Sequence, residues 1–335
     1  MSKPTTIGID LAKTVFQVVS LNAHNKVVSN RPLRRTQLIE KISQLEPCLI
    51  GMEACGSSHY WARRFLDMGH EVKLLPPVYV KGLVYGNKHD VNDAKAIALS
   101  AVQPESPTVS IKSADQLKLQ ALMRIRERRI NCRTQCSNQI RGILYEHGIT
   151  RPQGLDHIRK LDTDGLPDLL REMVSDLVEE FNYLDTQAKQ INLQIKSLVN
   201  AHPIGQQLLT LPGFGVMNAV AALVINPADF RNGRHYAAYP GLVPKQFGTG
   251  GKTRIQGISK RGNCYHRTLL CHGARAFINR NKNSNHPLWL WAKRIHCTKG
   301  VNVAVAALAN KLARISWHIL CGQTFDINKA IEIKK

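Results

Sequence analysis

Short apolar runs alternate with helically spaced apolar residues along the first hundred positions of the chain. The runs are rich in β-branched residues and predict strands at 6–9, 15–21, 26–29, 48–52 and 72–75. Apolar spacing of three and four residues predicts helices over 36–45, 59–68 and 90–102. This alternation predicts an α/β domain at the N-terminus.

From residue 105 onwards the pattern becomes helical. Pro104 and Pro107 mark a linker, after which helices are predicted over 115–147 and 167–201. Apolar residues of the second helix recur at nearly heptad spacing, which predicts a helical hairpin or a coiled coil. Residues 204–325 are predicted to be mostly helical, with a glycine-rich basic loop from Gly241 to Asn263.

These patterns predict an α/β plus α protein with three domains. The order of three strands, helix, strand, helix, strand, helix is that of a ribonuclease-H-like domain, here 1–105. A long helical, coiled-coil region follows over 106–203. A mainly helical C-terminal domain is predicted over 204–335.

The chain is strongly basic. It carries 46 Lys and Arg against 24 Asp and Glu, a net charge of +22. Such a surface attracts a polyanion, and nucleic acid is the expected partner. A ribosomal or membrane-surface protein is the alternative, but no Lys-rich amphipathic helix with an aromatic face favours a membrane.

Targeting and cysteine patterns change this picture little. No apolar stretch is long enough to span a bilayer and no signal peptide is apparent, so we expect a cytoplasmic protein without a membrane partner. None of the 8 cysteines forms a C-x-x-C pair. We therefore expect reduced thiols and no structural zinc.

The first long predicted helix is rich in arginine. Arg124 and Arg128 are the residues in it that we expect to contact nucleic acid, because its positive charge has few acidic neighbours in the sequence. The alternative is an ordinary solvated face. The further basic residues of this helix are Lys118, Arg126, Arg129, Arg133 and Arg141.

Four acidic residues stand at the ends of predicted elements. Asp10 and Glu53 each end an apolar strand, and Asp90 and Asp93 share one face at a helix start. Four converging carboxylates repel one another unless a cation lies between them, and Mg²⁺ prefers such ligands. A pair of such ions stabilises the attacking and leaving oxygens in phosphodiester chemistry. The alternative is that Asp90 or Asp93 merely caps its helix.

A second motif lies in the C-terminal region. Leu211-Pro212-Gly213-Phe214-Gly215 separates two helical stretches, the pattern of a helix-hairpin-helix. Gly213 and Gly215 are expected to let backbone N–H groups approach a DNA phosphate. A plain helical corner is the alternative.

The basic glycine loop is a third candidate site. Its spacing is not that of a P-loop, but its small residues permit close approach of a phosphate. Its charge comes from Lys252, Arg254, Lys260 and Arg261. Its hydroxyl groups, on Thr249, Thr253 and Ser259, are candidate nucleophiles that need activation.

Taken together, these motifs resemble the DEDD transposases of the insertion-sequence one-ten family, including its eleven-eleven subgroup. The resemblance rests first on Gly8-Ile9-Asp10, Met52-Glu53-Ala54 and Asp90-x-x-Asp93-Ala94. It continues through the Leu-Pro-Gly-Phe-Gly turn, Gly241-Leu-Val-Pro, Gly250-Gly-Lys and Gly257-Ile-Ser-Lys-Arg-Gly-Asn. It covers residues 5 to 325.

The resemblance implies more than the residues do by themselves. It implies a RuvC-like N-terminal domain whose four acids bind Mg²⁺, and a C-terminal domain whose serine becomes covalently linked to DNA. It also implies a dimer or tetramer in which the acids of one protomer act with the hydroxyl of another. A structured guide RNA would select donor and target DNA, and excision would give a circular intermediate.

The chain departs from the family pattern at the nucleophile. The family usually has Ser-Ser or Ser-Thr before Gly-Gly-Lys, where this chain has Gly248-Thr249. If the nucleophile belongs at the second position, Thr249 serves as a secondary alcohol. If it belongs at the first, the copy is inactive or uses another hydroxyl such as Ser259. Pro240 also replaces a residue that is usually apolar and not proline.

Two other functions remain open from the sequence. A metal-dependent junction nuclease would release free DNA ends without a covalent adduct. A non-enzymatic nucleic-acid binder would leave DNA and RNA unchanged and would not need the acids. The carboxylates argue against this last reading.

Overall fold

The computed structural model describes residues 5–84, 89–280 and 285–323. The chain divides into two compact units, 1–114 and 115–335. The finer division into three domains stays a prediction, and its ends at 1–4 and 324–335 lie outside the described residues.

A five-stranded sheet forms the centre of the N-terminal unit. Its strands are β1 (Thr6–Asp10), β2 (Val15–Leu21), β3 (Val27–Arg34), β4 (Leu49–Glu53) and β5 (Glu71–Leu75). Their order is β3-β2-β1-β4-β5. The first three pair antiparallel, whereas β4 is parallel to both β1 and β5. The predicted strand at 26–29 is thus the start of a longer strand.

Four helices accompany this sheet: α1 (Arg35–Ser43), α2 (Ser58–Asp67), α3 (Pro77–Lys81) and α4 (Asp90–Val102). Residues of α1 and α2 bury against the sheet in one core that includes Trp61 and Phe65. Residues of α4 contribute to separate clusters with β2 and β5. Helices therefore cover the apolar residues of the inner strands, which are largely buried, whereas the edge strand β3 is largely exposed.

Two long helices dominate the start of the C-terminal unit, α5 (Ala114–Glu146) and α7 (Asp168–Ala201), with the short α6 (Asp156–Arg159) between them. Arg133 contacts Asp185 at 2.6 Å, and the Cys136 thiol donates to the Leu177 carbonyl oxygen at 3.0 Å. Contacts move backwards along α7 as they move forwards along α5. The two helices therefore form an antiparallel hairpin, one of the two predicted arrangements, and the coiled coil stays a prediction.

The rest of the unit is mainly helical, as predicted. It comprises α8 (Pro203–Leu209), α9 (Val216–Leu223), a 3-10 turn (Pro227–Asp229), α10 (Gly233–Ala238), α11 (Cys264–Arg280), α12 (Pro287–Lys299) and α13 (Val301–Leu320). The buried face of α13 lies at the centre of a large core to which the other α-helices of this set contribute. None of the helices in the described part is long and apolar enough to cross a bilayer.

The predicted glycine-rich loop is mostly a β-hairpin, so that prediction was wrong. Strands β6 (Pro244–Thr249) and β7 (Lys252–Ile258) pair antiparallel. Gly250 and Gly251 have φ of 55° and 76°, and two positive φ angles in a two-residue connection favour a tight hairpin. The hairpin was missed because its exposed strands lack an apolar–polar alternation.

Candidate active site

Asp10 and Glu53 end two neighbouring parallel strands. Gly8 pairs with Gly51 and Ile9 with Met52 in the β1–β4 register. Side chains two residues apart on a strand share a face. Asp10 and Glu53 therefore lie on the same face as these two glycines, next to each other at one edge of the sheet.

That face is covered by α4 at very short range. A Cβ on Gly8 would lie 2.5 Å from the Ala94 carbonyl oxygen, and one on Gly51 would lie 2.6 Å from the Ala101 Cβ. Glycine on the strands and alanine on the helix thus let the two backbones approach. The first turn of α4 is held beside the strand ends as a result.

Asp90 and Asp93 lie in that first turn. The N-cap is His89, whose side chain accepts a hydrogen bond from the Val91 N–H. Capping is therefore performed by His89 and not by Asp90 or Asp93, which argues against the capping alternative. Both carboxylates still gain from the positive end of the helix dipole.

The structure brings three of the four acids together. One carboxylate oxygen from each of Asp10, Asp90 and Asp93 lies within 4.8 Å of the others. Glu53 is not part of this group. Burial raises the pKa of Glu53, and the negative charge of Asp93 raises it further, so Glu53 lies within electrostatic reach of the cluster.

Such a cluster suits a divalent cation. Three carboxylates at this spacing can supply oxygen ligands to one ion, and hard divalent cations take such ligands.

The sequence analysis did not identify Cys55, which lies close to these acids. Burial raises the pKa of its thiol, and the charges of Glu53 and Asp10 raise it further, which keeps the thiol protonated. The only sign of Cys55 in the sequence was its position two residues after Glu53.

Thr249 lies at the tip of the β6–β7 hairpin. It pairs with Lys252 in the last rung before the Gly250-Gly251 turn, and Thr249, Lys252 and Arg254 are all exposed. The side chain of Thr253 is outside what the structure describes. The tip thus presents one hydroxyl and the two cations to solvent.

Lys260 and Arg261 lie at the base of the hairpin. Lys260 has a φ of 55°, and its N–H donates to the Gly241 carbonyl oxygen at 3.1 Å. A Cβ on Gly241 would lie 2.2 Å from the Arg261 carbonyl oxygen. Gly241 therefore permits a close crossing that fixes the base, and both cationic side chains remain exposed.

The Leu-Pro-Gly-Phe-Gly turn joins α8 to α9. Gly213 has a φ of 76° and packs against Gly273 of α11, where a Cβ on Gly213 would lie 2.7 Å from the Gly273 carbonyl oxygen. Gly215 precedes α9 and has open space where a Cβ would be. The two glycines therefore do different things, because Gly213 is needed for packing and Gly215 leaves the start of α9 accessible.

The arginines of α5 include exposed residues and residues that bind other parts of the chain. Arg124 and Arg128 are exposed. Arg133 pairs with Asp185, and Arg141 donates to the carbonyl oxygen of Gly154 at 2.8 Å. The prediction that positive charge is unbalanced along this helix was wrong for Arg133, since Asp185 lies on another helix and its proximity is not visible in the sequence.

A five-stranded sheet of this order, with Asp10 at the end of its central strand beside Asp90 and Asp93 of α4, is the arrangement of a ribonuclease-H-like, DEDD-type domain. Residues 7–149 match the transposase family of DEDD type named for IS110. Residues 205–288 match a second family, described as "Transposase IS116/IS110/IS902 family".

Several named relatives agree with these matches. The chain is 40% identical to the "Probable family 20 transposase" of Pseudomonas aeruginosa over 95% of this chain and 97% of the relative. It is 36% identical to the "Transposase for insertion sequence element IS1111A" of Coxiella burnetii, over 95% of this chain and 90% of that one. It is 26% identical to the "Pilin gene-inverting protein" of Moraxella lacunata over 75% of each chain.

The chain therefore belongs to the IS110 family of insertion-sequence transposases. It is a DNA transposase with a RuvC-like N-terminal domain. The resemblance found in the sequence motifs is confirmed.

Proposed function

We propose that this transposase exchanges DNA strands by using Mg²⁺ held by Asp10, Glu53, Asp90 and Asp93, with Thr249 as the nucleophile. The observation that carries the proposal is the approach of three of these carboxylates to within 4.8 Å of one another, in a chain of a transposase family. When bound, Mg²⁺ would stabilise negative charge on the attacking and leaving oxygens.

The four acids would hold this ion in two ways. Asp10, Asp90 and Asp93 would supply the close group of oxygens, and Glu53 would complete the set from the adjacent strand. The raised pKa of Glu53 is the expected state of a carboxylate beside other carboxylates, and a bound cation would lower it.

Thr249 supplies the hydroxyl in this scheme. Its oxygen forms a bond to the DNA phosphorus and loses its proton to solvent, and the strand end departs as a hydroxyl after taking up a proton. Reversal of the step on another strand end completes the exchange. The exposed hairpin tip supports this assignment, because it leaves the Thr249 hydroxyl accessible to a DNA backbone. Lys252 and Arg254 would bind the flanking phosphates.

Other contacts to nucleic acid are assigned by exposure. Gly215 and the free N–H groups of the first turn of α9 would bind a phosphate in the manner of a helix-hairpin-helix, with Gly213 positioning the turn. Arg124 and Arg128 on α5, together with Lys260 and Arg261, would contact further phosphates. The long α5–α7 hairpin is proposed to act as a coiled-coil element of the dimer or tetramer.

Guidance by a structured RNA is the part of the proposal that rests on the family resemblance and on the net charge of +22. The DNA flanking the gene should encode a noncoding RNA that folds into such a guide. Purification of the protein from cells carrying the whole element should recover that RNA. Recovery of only random cellular RNA would contradict the guidance proposal while leaving the metal site untouched.

The nucleophile is tested with labelled DNA on denaturing gels in the presence of Mg²⁺. The wild type should form a covalent adduct, Thr249→Ser should keep it and Thr249→Val should lose it. Ser259→Ala is the matched control and should behave like the wild type. Adduct that persists in Thr249→Val and is lost in Ser259→Ala would reassign the nucleophile to Ser259. Cleavage without any adduct would indicate a junction nuclease.

The acids are tested in the same assay. Asp10→Asn and Glu53→Gln should abolish strand exchange, because each removes a charged ligand. Asp67→Asn changes an exposed acid at the end of α2 and should have no effect. Full activity in both ligand variants would remove the basis of the proposed metal site.

A further inference from the structure

A large pocket lies at the base of the β6–β7 hairpin, against α12 and α13. It has a volume of about 1260 Å³. We call it the hairpin-root pocket, and its lining residues come from three stretches of the C-terminal unit, 242–260, Trp291 and 302–314. It is distinct from the hairpin tip and from the acids of the N-terminal unit.

One face of α13 forms the floor of the pocket. Val303, Ala307, Asn310 and Arg314 recur at spacings of three and four residues and so share a face of the helix. Small residues at the centre of this face leave the volume open. The opposite face of α13 is buried in the main core of the unit.

The charge of the lining is entirely positive. Lys245, Lys260, Lys311 and Arg314 line the pocket, and none of its lining residues within the described chain is acidic. Lys245 contacts the Phe247 ring at 4.5 Å. Four cations without a carboxylate attract an anion into this space.

Lys311 is the strongest sign of a ligand. It is 7% exposed, and its Nζ lies 4.6 Å from the centre of the Trp291 ring. Among the residues that the structure describes, no carboxylate pairs with it. Burial lowers the pKa of Lys311, and the charge of Arg314 lowers it further. The Lys311 ammonium group therefore lines the pocket beside an aromatic ring with little solvent around it, and an anion that enters the pocket would offset the cost of this partial burial.

The remaining wall is apolar and aromatic. Leu242, Ile258, Val303 and Trp291 lie beside the cations. A lone inorganic phosphate would fill a small part of this volume and would leave the apolar wall unused. A ligand with both an anionic group and a flat apolar group fits both parts, since bases stack on aromatic side chains and phosphates bind cations.

We propose that the hairpin-root pocket binds a nucleotide of a single nucleic-acid strand, with its phosphate on Lys311 and Arg314 and its base against Trp291. The strand can come from DNA or from RNA, which share this chemistry. The inference deepens the nucleic-acid binding of the proposed function, and it depends neither on Mg²⁺ nor on Thr249. Such a contact would hold a strand close to the base of the hairpin that carries the nucleophile.

Photo-crosslinking of the full chain tests the proposal. Single strands of ten nucleotides, DNA with 4-thiothymidine or RNA with 4-thiouridine, are irradiated with the protein. The crosslinked peptide is then identified by mass spectrometry. We expect a crosslink in the α12 peptide that contains Trp291. The strand that crosslinks more strongly identifies DNA or RNA as the source.

Lys311→Met is the decisive variant. It should reduce this crosslink about tenfold, as expected for loss of a buried phosphate contact, and should raise the melting temperature because an unpaired buried charge is removed. A purely structural lysine would not give that combination. Lys196→Met removes an exposed lysine from α7 and should leave both readouts unchanged.

Further variants separate the possible failures. Arg314→Gln offers a second test should Lys311→Met lose stability, and it should also reduce the crosslink. Asp10→Asn should retain the crosslink, so failure of the metal proposal does not affect the result. Absence of a Trp291-peptide crosslink with both strands, or a crosslink equal in wild type and both pocket variants, would overturn the proposal. Efficient competition by poly-glutamate but not by either strand would also overturn it, in favour of an acidic peptide.

Discussion

Single residues without functional groups determine where the acids lie. Gly8 and Gly51 have no Cβ on the face of the sheet that carries Asp10 and Glu53, and α4 packs there against alanine residues. Since interiors are closely packed, one added methyl group at such a contact forces the backbones apart. The geometry of the acidic cluster therefore depends on residues that bind nothing.

Gly8→Ala is expected to weaken binding of a divalent cation about tenfold, the size of effect seen when residues that orient metal ligands are changed. The added Cβ would lie 2.5 Å from the Ala94 carbonyl oxygen and would move Asp90 and Asp93 away from Asp10. Calorimetric titration with Mn²⁺ measures the affinity. Gly56→Ala, where a Cβ meets open space, is the control. Equal affinities in both variants would show that the close approach of α4 does not set the site.

The His266 side chain is buried, and its ring contacts the Tyr236 hydroxyl at 3.2 Å. Burial lowers the pKa of His266 to about 4. The unfolded chain therefore binds a proton that the folded chain does not, between about pH 6.5 and pH 4. The stability contributed by the neutral imidazole is present above pH 6.5 and falls as the pH drops towards 4.

Because the unfolded chain gains a proton at His266, we expect the free energy of unfolding to fall by about 3 kcal/mol as the pH drops from 6.5 to 4. His266→Phe should make the dependence of the free energy of unfolding on pH shallower, as measured by urea unfolding from pH 7 to pH 4. His24→Gln, at an exposed position, should leave the slope unchanged. An unchanged slope in His266→Phe would mean that His266 is protonated in the folded protein.

Charged side chains from three helices meet inside the α5–α7 hairpin. Asp185 is 3% exposed and binds Arg133 at 2.6 Å, Arg159 at 2.9 Å and Lys189 at 2.9 Å. Burial raises the pKa of Asp185, but hydrogen bonds from these three cations outweigh it and lower the pKa to about 2. The carboxylate thus stays charged and ties both long helices to α6.

Asp185→Ala is expected to destabilise this hairpin by about 3 kcal/mol, because it leaves the partly buried Arg133 without its anion and removes one of the two acids that pair with Arg159. Amide hydrogen exchange in α5 and α7 measures the local effect. In the wild type the contribution is present above pH 4 and is lost as the pH falls through 2. Asp168→Ala removes an acid whose side chain is 95% exposed and should not change exchange. Equal protection in both variants would contradict the role of Asp185.

The β6–β7 hairpin is the other element on which function depends. The Gly250-Gly251 turn has positive φ at both positions, which valine disfavours and asparagine tolerates. Gly250→Val should therefore disorder the tip and reduce adduct formation at Thr249, whereas Gly250→Asn should retain it. The adduct assay compares the two variants. Similar activity in both would show that the turn does not position the hydroxyl.

The whole molecule combines parts that the sequence predicts to different degrees. Strong local patterns predicted the five strands in their order along the chain and both long helices, since apolar periodicity is visible in any window of the chain. The acids were identified because strand ends of parallel neighbours meet at one edge of a sheet. Their approach to within 4.8 Å depends on the packing of α4, which only the structure reveals.

Contacts between distant segments were not predictable from the sequence. Asp185 of α7 pairs with Arg133 of α5, and Gly273 of α11 packs on Gly213. Lys311 of α13 contacts Trp291 of α12. None of these pairs has a local pattern. The hairpin was missed for another reason, since both of its strands are largely exposed and lack a buried face.

The central claim is that the carboxylates form a divalent-cation site that serves DNA strand exchange. Its most direct test is calorimetric titration of the full chain with Mg²⁺, comparing wild type, Asp93→Asn and Asp67→Asn. We predict saturable binding in the wild type and in Asp67→Asn, and affinity at least about tenfold weaker in Asp93→Asn. Binding of equal affinity in all three proteins would contradict the account.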